Sequence, residues 1–323
     1  MAKKGVPGKG RKKDDRQWQR IGAIAVVLLI IVVMIISVFY SVFTGRLPTS
    51  GTSNSTYTIE KRFNSISDGL TALPSGALYT RYVDLTASDP IANWSREKLG
   101  GGIPNTTRFG KPALKDEVAI FPYPEFGFFR QYGDYQVVSL TDFGPHFDNA
   151  SYTRNDYQGY PMRAITSSYG FSLDTYPVIH GAPQCVAAVE SFLASGTTNS
   201  SYYDYADLFD QIATYPETAD DARFAVVGTT DTTSFGGDRY FAGITAAVNN
   251  SSNYKIVYHL SVPLNDSQKQ HYTYLWETTA RQYFNYSVYS ATFKGDYLIV
   301  NAYAPPEVCL SDLLNNWPSL LQG

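Results

Sequence analysis

Residues 133–138 read GDYQVV and residues 295–300 read GDYLIV, one phrase written twice, 162 residues apart. A Gly-Asp pair followed by Tyr and branched apolar residues reads as a turn opening into a strand, the second arm of a hairpin. Working outward, Ser67 starts SDGLTALPSGALYTRYVDL and Phe209 starts FDQIATYPETADDARFAVVG. Asp68, Leu70 and Pro74 match Asp210, Ile212 and Pro216 at equal spacing, each a short helix that proline stops. An alternating strand follows each, at 77–85 and 222–227. A helix comes next in each half. Asp89 and Pro90 open the first, and Asp266 caps a second whose face is Tyr272, Leu275, Trp276, Thr279 and Tyr283. A looser pair, YPVIHGAPQCVAAVESFL and YLIVNAYAPPEVCLSDLL, runs strand, Ala-Pro, Cys, helix. The expected fold class is α+β: two related units with antiparallel sheets, 61–200 and 201–323, the first carrying an insertion at 141–170. That insertion is polar, aromatic and rich in turns, and is the expected contact surface.

The N-terminal part has another character. Residues 1–20 hold eight basic side chains against Asp14 and Asp15. Removing them from totals of 26 basic and 29 acidic leaves 18 and 27, so the rest of the chain is net −9. A nucleic-acid binder carries its positive charge on the folded part, so nucleic acid is not an expected partner. Residues 21–43, IGAIAVVLLIIVVMIISVFYSVF, contain no charge over 23 positions and satisfy the length of a transmembrane helix. Trp18 and Tyr40 flank it at interface depth. The positive-inside rule leaves 1–20 in the cytoplasm and places the rest outside, with lipid contacting 21–43. A cleaved signal peptide and a pilin-type leader are the alternatives. The first has a shorter apolar core and a small-residue cleavage site; the second would make the chain a filament subunit. Residues 44–60, rich in Gly, Ser and Thr, read as a flexible stalk.

Nine Asn-x-Ser/Thr sequons follow the apolar segment and none precedes it: Asn54, Asn93, Asn105, Asn149, Asn199, Asn249, Asn250, Asn265 and Asn285. Chance placement among these residues gives about three, so glycosylation of an exported part is expected. Both cysteines, Cys185 and Cys309, fall in that part. One structural disulfide in an oxidising compartment suits them, worth about 4–5 kcal/mol in the chain-entropy model; two buried thiols are the other reading.

Chemistry is thinly written. Asp142, His146 and Asp148 are candidate metal ligands on the insertion, a weak set without a second cluster. His180 ends a strand, His259 lies in a strand and His271 on a helix, none with a catalytic partner at a telling spacing. LGGGIP at 99–104 is a glycine-rich turn lacking the strand and helix that phosphate binding needs. No metalloprotease, nucleophile-elbow or nucleotide-loop motif occurs, and no cofactor is implied. The 26 tyrosines read as half-exposed strand residues or as a platform for sugars.

Three features carry a resemblance: the basic tail with its apolar segment, the Tyr-, Asn-, Ser- and Thr-rich remainder, and LPSGALYTRYVDL followed by a Gly-Asp-Tyr strand. In these the chain resembles the membrane-anchored, sequon-rich surface proteins of methanogen-type archaea. The resemblance implies a surface location and carries over no catalytic residue. The expectation is a single-pass, non-enzymatic surface protein that binds a protein or glycan partner or builds the envelope. An exported enzyme or solute-binding domain using 141–170 and residues near His180 is the rival.

Overall fold

The computed structural model describes residues 57–86, 90–104, 106–122, 135–144, 147–196, 198–212, 221–229, 237–248, 250–280, 282 and 288–315. The apolar segment at 21–43, most of the stalk, Asp89, His146, and Asn54, Asn105, Asn249 and Asn285 lie outside them. Among the described residues no helix is long and apolar enough to cross a membrane. Thr52–Gly323 is one compact unit of α+β class.

Strands alternate because their side chains must serve two cores. Each of β2 (Tyr79–Asp84), β10 (Ala222–Thr229), β11 (Gly237–Thr245), β12 (Ser252–Leu260) and β14 (Tyr297–Ala304) packs apolar residues into both cores, whereas β3 (Lys115–Pro122) and β4 (Tyr135–Asp142) give theirs to one. With β13 (Val288–Lys294) and, beyond β4, β9 (Val178–Gly181), β7 (Tyr169–Ser172), β6 (Tyr160–Thr166) and β5 (Asn155–Tyr157), they form one twelve-stranded sheet. Its order is β13-β14-β12-β11-β10-β2-β3-β4-β9-β7-β6-β5, and every pairing in it is antiparallel. A short parallel pair, β1 (Ile59–Glu60) with β8 (Thr175–Tyr176), ties the start of the described chain to the first half.

Helices cover both faces. On one lie α1 (Ile66–Thr71), α4 (Pro183–Ser195) and α5 (Ser201–Ile212), packing Leu70, Val186 and Leu208 against Tyr82, Leu140 and Val227. On the other lie α2 (Pro90–Lys98), α3 (Thr106–Phe109) and α7 (Pro306–Asn315), packing Ile91, Phe109 and Leu310 with Val83, Ile256 and Val300. The starts and stops follow local chemistry. Ser65 caps α1 by accepting from Asp68 N–H; Pro183 opens α4 and Gly196, at φ 65°, ends it. α6 (Asp266–Tyr274) is capped by Asn265, not Asp266, because Asn265 and Gln268 close a reciprocal capping box. A wider π turn, Leu275–Ala280, follows and buries Trp276.

Strand order runs outward from the β2–β10 pair in the same way on each side: three strands in chain order, then the last strand of that half, then its predecessor. The YQVV of the first phrase therefore falls on the third strand outward, β4, its Gly133 and Asp134 lying outside the described residues, whereas GDYLIV opens the fourth, β14. The looser strand–Ala-Pro–Cys phrase falls on the fourth strand of both sides, β9 and β14. Gly295 and Asp296 make a two-residue turn into β14, with Gly295 at φ 59°.

The expected disulfide does not form. Cys185 and Cys309 are both free and buried, because α4 and α7 cross opposite faces of the sheet and the thiols belong to different cores. The 141–170 insertion is also not an irregular surface loop. It contains β5 and β6, and its Phe143 and Phe147 stack inward on each other at 5.0 Å. Phe143 also stacks on Phe109 at 4.6 Å. Most of the described tyrosines are half-buried, as expected, but a few lie in the cores. Tyr82, Tyr205, Tyr254 and Tyr258 are fully buried; Tyr82 donates to Asn64 O at 2.8 Å and Tyr205 to Ala77 O at 2.5 Å.

Both sheet edges are guarded. β5 is short and ends the sheet on exposed Asn155 and Asp156; on β13, Ala291 N–H donates to Glu277 Oε1 at 3.2 Å. Replacing Glu277 by Ala should free that N–H for pairing with a second copy. Light scattering after size exclusion should then show concentration-dependent association, which Glu277→Gln suppresses.

Candidate functional site

Strand pairing brings together polar residues from distant parts of the sequence on the α2/α7 face. Thr141 stands opposite Asp116, and His180 opposite Ser139, in neighbouring ladders. Asp116 and Thr141 have no exposed surface, and His180 is nearly as enclosed. Buried polar groups need partners, and these find one another. Thr141 Oγ1 lies 2.6 Å from Asp116 Oδ1 and 2.8 Å from His180 Nε2, while Tyr169 Oη lies 2.9 Å from His180 Nδ1. Arg108 covers the Tyr169 ring at 4.2 Å.

Donor and acceptor roles follow from the ends. The Asp116 carboxylate accepts, so Thr141 donates to it and must itself accept from His180 Nε2–H. The network thus assigns His180 the Nε2–H tautomer, and Nδ1 accepts from the Tyr169 hydroxyl. Four groups form a line of hydrogen bonds all pointing from Arg108 towards Asp116. Burial, then Arg108, pushes the His180 pKa down to about 3, so the imidazole is neutral. Burial pushes Asp116 up to about 6 against the opposing pull of Thr141 and Arg81. The line braces β3, β4, β9 and β7, with both His180 nitrogens occupied.

One cation beside this line is unused. Arg81 is half-buried on β2, and its Nε is sealed from solvent with no partner among the described residues. Asp116 Oδ2 is likewise buried without a hydrogen bond among them. Arg81 attracts Asp116 electrostatically but makes no ion pair with it. The 3-10 turn Gly100–Gly102 borders the guanidinium: a Cβ on Gly102 would lie 4.0 Å from Arg81 Nη2, and one on Gly100 would meet nothing.

The expected metal ligands do not converge with His180. Asp142 points to the opposite face from Thr141, where its Oδ1 accepts from Gly144 N–H at 2.6 Å. Asp148 caps the turn Asn149–Ser151 by accepting from Ala150 N–H at 3.1 Å. His146 lies outside the described residues. Among the described residues no three His, Cys, Asp or Glu side chains gather as a metal site. Cys185 borders an apolar recess between β4 and α4 with room for about one water molecule, and burial pushes its thiol up to about 12. His259 does have a partner: its Nδ1 lies 2.7 Å from Asp238 Oδ1. Nearby, Arg239 holds Asp207 through two bonds, of 2.8 and 3.0 Å, and Tyr297 donates to Asp207 at 2.8 Å. That second cluster bolts α5 to β11 and β14. His271 is exposed on α6.

Of the site, the sequence indicated His180 by name, and Thr141 and Tyr169 only as part of the 141–170 segment. Arg81, Arg108 and Asp116 went unmarked, although Lys115-Asp116-Glu117 inside an apolar strand is a legible anomaly. Glu117 faces the other core, completely buried, with neither carboxyl oxygen hydrogen-bonded among the described residues. It presses on α1 so closely that a Cβ at Gly69 would sit 1.9 Å from Glu117 Oε2. Burial, and then Asp116 and Asp68, hold its pKa well above the ordinary 4.5.

Comparison with known proteins adds no constraint: no protein-family model, curated protein or solved structure gives a significant match.

Two measurements probe this region. Thr141→Val removes the middle of the line and orphans His180 Nε2–H and Asp116 Oδ1, which should cost about 2 kcal/mol or more in urea unfolding; Tyr169→Phe, at the accessible end, should cost about 1 kcal/mol. Glu117 has a raised folded pKa, so the folded state binds the extra proton and stability falls as pH rises above 4.5. Glu117→Gln should therefore match the parent near pH 4 and melt higher than it at pH 8. Equal differences at both pH values would contradict a buried neutral carboxyl.

Proposed function

We propose that this chain is a single-pass membrane protein of the cell surface, N-terminus in the cytoplasm. Its large extracytoplasmic part has a non-enzymatic role, in binding a partner or in building the envelope. The basic tail and the uncharged stretch at 21–43 support the topology. The observation that carries the reading is where the sequons stand. Among the described ones, Asn93 on α2, Asn199 before α5, Asn250 between β11 and β12, and Asn265 at the cap of α6 are all exposed. They sit on four separate elements, as glycans distributed over an exported surface require. Asn265 caps with Oδ1, which leaves Nδ2, the atom a glycan joins, free of that bond.

The finer architecture belongs to the same proposal: two related halves, 61–200 and 201–323, sharing one sheet. Matching strand order on both sides of β2–β10, with α1 and α5 entering the two halves on the same face, supports it. A non-enzymatic role is supported by how the acid–base groups are spent. His180 uses both nitrogens inside the fold, and Asp142 lies across the sheet from it.

Site-resolved glycopeptide mapping of the protein from native membranes tests the reading. Glycans are expected at Asn93, Asn199, Asn250 and Asn265. Asn149 should be bare, because its Nδ2 already donates to Leu173 O. Empty sites throughout would overturn the surface assignment.

A further inference from the structure

Among the described sequons four asparagines are exposed, but a sequon is a pair of residues. The hydroxyl two positions on is part of the acceptor, so a transferase must reach both side chains at once. In three of the four that hydroxyl is out of reach. Ser95, Ser201 and Ser252 have no exposed surface, although Asn93, Asn199 and Asn250 are exposed. On α2 the geometry also opposes a joint approach. Residues i and i+2 of a helix do not share a face, and Asn93 and Ser95 both lie within Pro90–Lys98. Ser201 is built into the join between the halves. Its N–H donates to Leu73 O, and its Oγ donates to Pro74 O at 2.5 Å and accepts from Ala77 N–H at 3.3 Å. Ser252 opens β12, in register with Ala304 of β14. Asn265 differs. Its Ser267 is exposed, and the pair sits at the start of α6, where a helix frays.

We propose that Asn93, Asn199 and Asn250 receive their glycans before the fold closes over Ser95, Ser201 and Ser252, whereas Asn265 remains an acceptor in the folded protein. The inference rests on the proposed glycosylation and adds its order. In the transfer, Asn Nδ2 attacks the anomeric carbon of a glycosyl phosphate donor. The N–C bond forms, the C–O bond to phosphate breaks, the phosphate leaves with the electron pair, and Nδ2 gives up one proton. Folding then takes each serine inside while its asparagine stays at the surface, so the finished structure has room for the sugars it could no longer accept. Asn149 stands apart. A sugar on its Nδ2 would crowd the Leu173 carbonyl to which it donates, and chains modified there are kept from this fold.

The test offers one acceptor in two states. The full chain, made without glycans in a host lacking the transferase, is either refolded in detergent micelles first or diluted straight from urea. Each is given to native membranes that hold the transferase and its donor, and occupancy is read by glycopeptide mapping. The chain from urea should accept at Asn93, Asn199, Asn250 and Asn265. The refolded chain should accept as readily at Asn265, and at least about tenfold less at the other three, where the hydroxyl is reached only through local opening. Equal occupancy in the two states at any of those three would overturn the order. Should the bare chain not refold, pulse-labelled cells decide. Sugars gained during the chase should appear at Asn265 and not at Asn93, Asn199 or Asn250, and a gain at any of these overturns the order. Equal transfer to both states removes the order and leaves the surface reading standing. Transfer to neither, with bare sequons on the protein from native membranes, removes both.

Discussion

The antiparallel ladder between β2 and β10 is the constraint on which the rest depends. Five residue pairs, from Val83–Phe224 to Tyr79–Gly228, join two stretches of chain more than a hundred residues apart. Closing so long a loop costs entropy, and local contacts repay it. The Asp84–Arg223 ion pair clasps one end. At the other, Asp204 of α5 accepts from Ser75 Oγ and Gly76 N–H, Tyr205 donates to Ala77 O, and Ser201 N–H donates to Leu73 O. Once β2 lies against β10, each half has one inner strand settled, and the meanders β3–β4 and β11–β12 extend outward from it. A continuous sheet of this width has two faces to cover, which is why helices lie on both.

A sheet buried on both faces has a second consequence. A polar side chain buried on an inner strand depends on its neighbours for hydrogen bonds or for its protonation state, since water does not reach it. The line Tyr169–His180–Thr141–Asp116 is one solution, with a cation at its outer end and a carboxylate at its inner one. Buried tyrosines that donate to backbone carbonyls are another. Glu117 adopts a third, staying neutral against Gly69. Arg81 fits none of these: its Nε is buried without a hydrogen bond among the described residues.

How much was legible follows from which interactions are local. The helix at Ile66–Thr71 and the strands near 79–84 and 222–229 were readable, because caps, turns and alternation act over a few residues; the second proline stop, Pro216, lies outside the described residues. Asn265 was missed as the cap of α6, as Asp266 beside it is an equally good capping residue. The phrase GDYQVV/GDYLIV did mark two strands, but not two strands at the same step from the centre. Hydrogen-bonded neighbours are chosen by the ladder, and a turn sequence says nothing of which strand lies on its far side. The staple expected between Cys185 and Cys309 failed for a related reason. Two helices can follow similar strands and still cross opposite faces, and only the direction of the crossing decides whether their thiols can meet.

By itself the sequence determined the chemical character of the chain: a basic start, an uncharged stretch long enough for a bilayer, a sequon-rich remainder, and α+β segments with their local boundaries. These are properties of composition, spacing and short-range hydrogen bonding, all present before the chain folds. The tertiary structure decided which residues meet. Asp116, Thr141, Tyr169 and His180 become neighbours only when β3, β4, β7 and β9 are laid side by side. Arg81 stands between Val118 and Val226 only because β3 and β10 are laid on either side of β2. Strand order sets these contacts, and strand order is a long-range compromise between loop closure and the burial of two faces, which no short stretch of sequence contains.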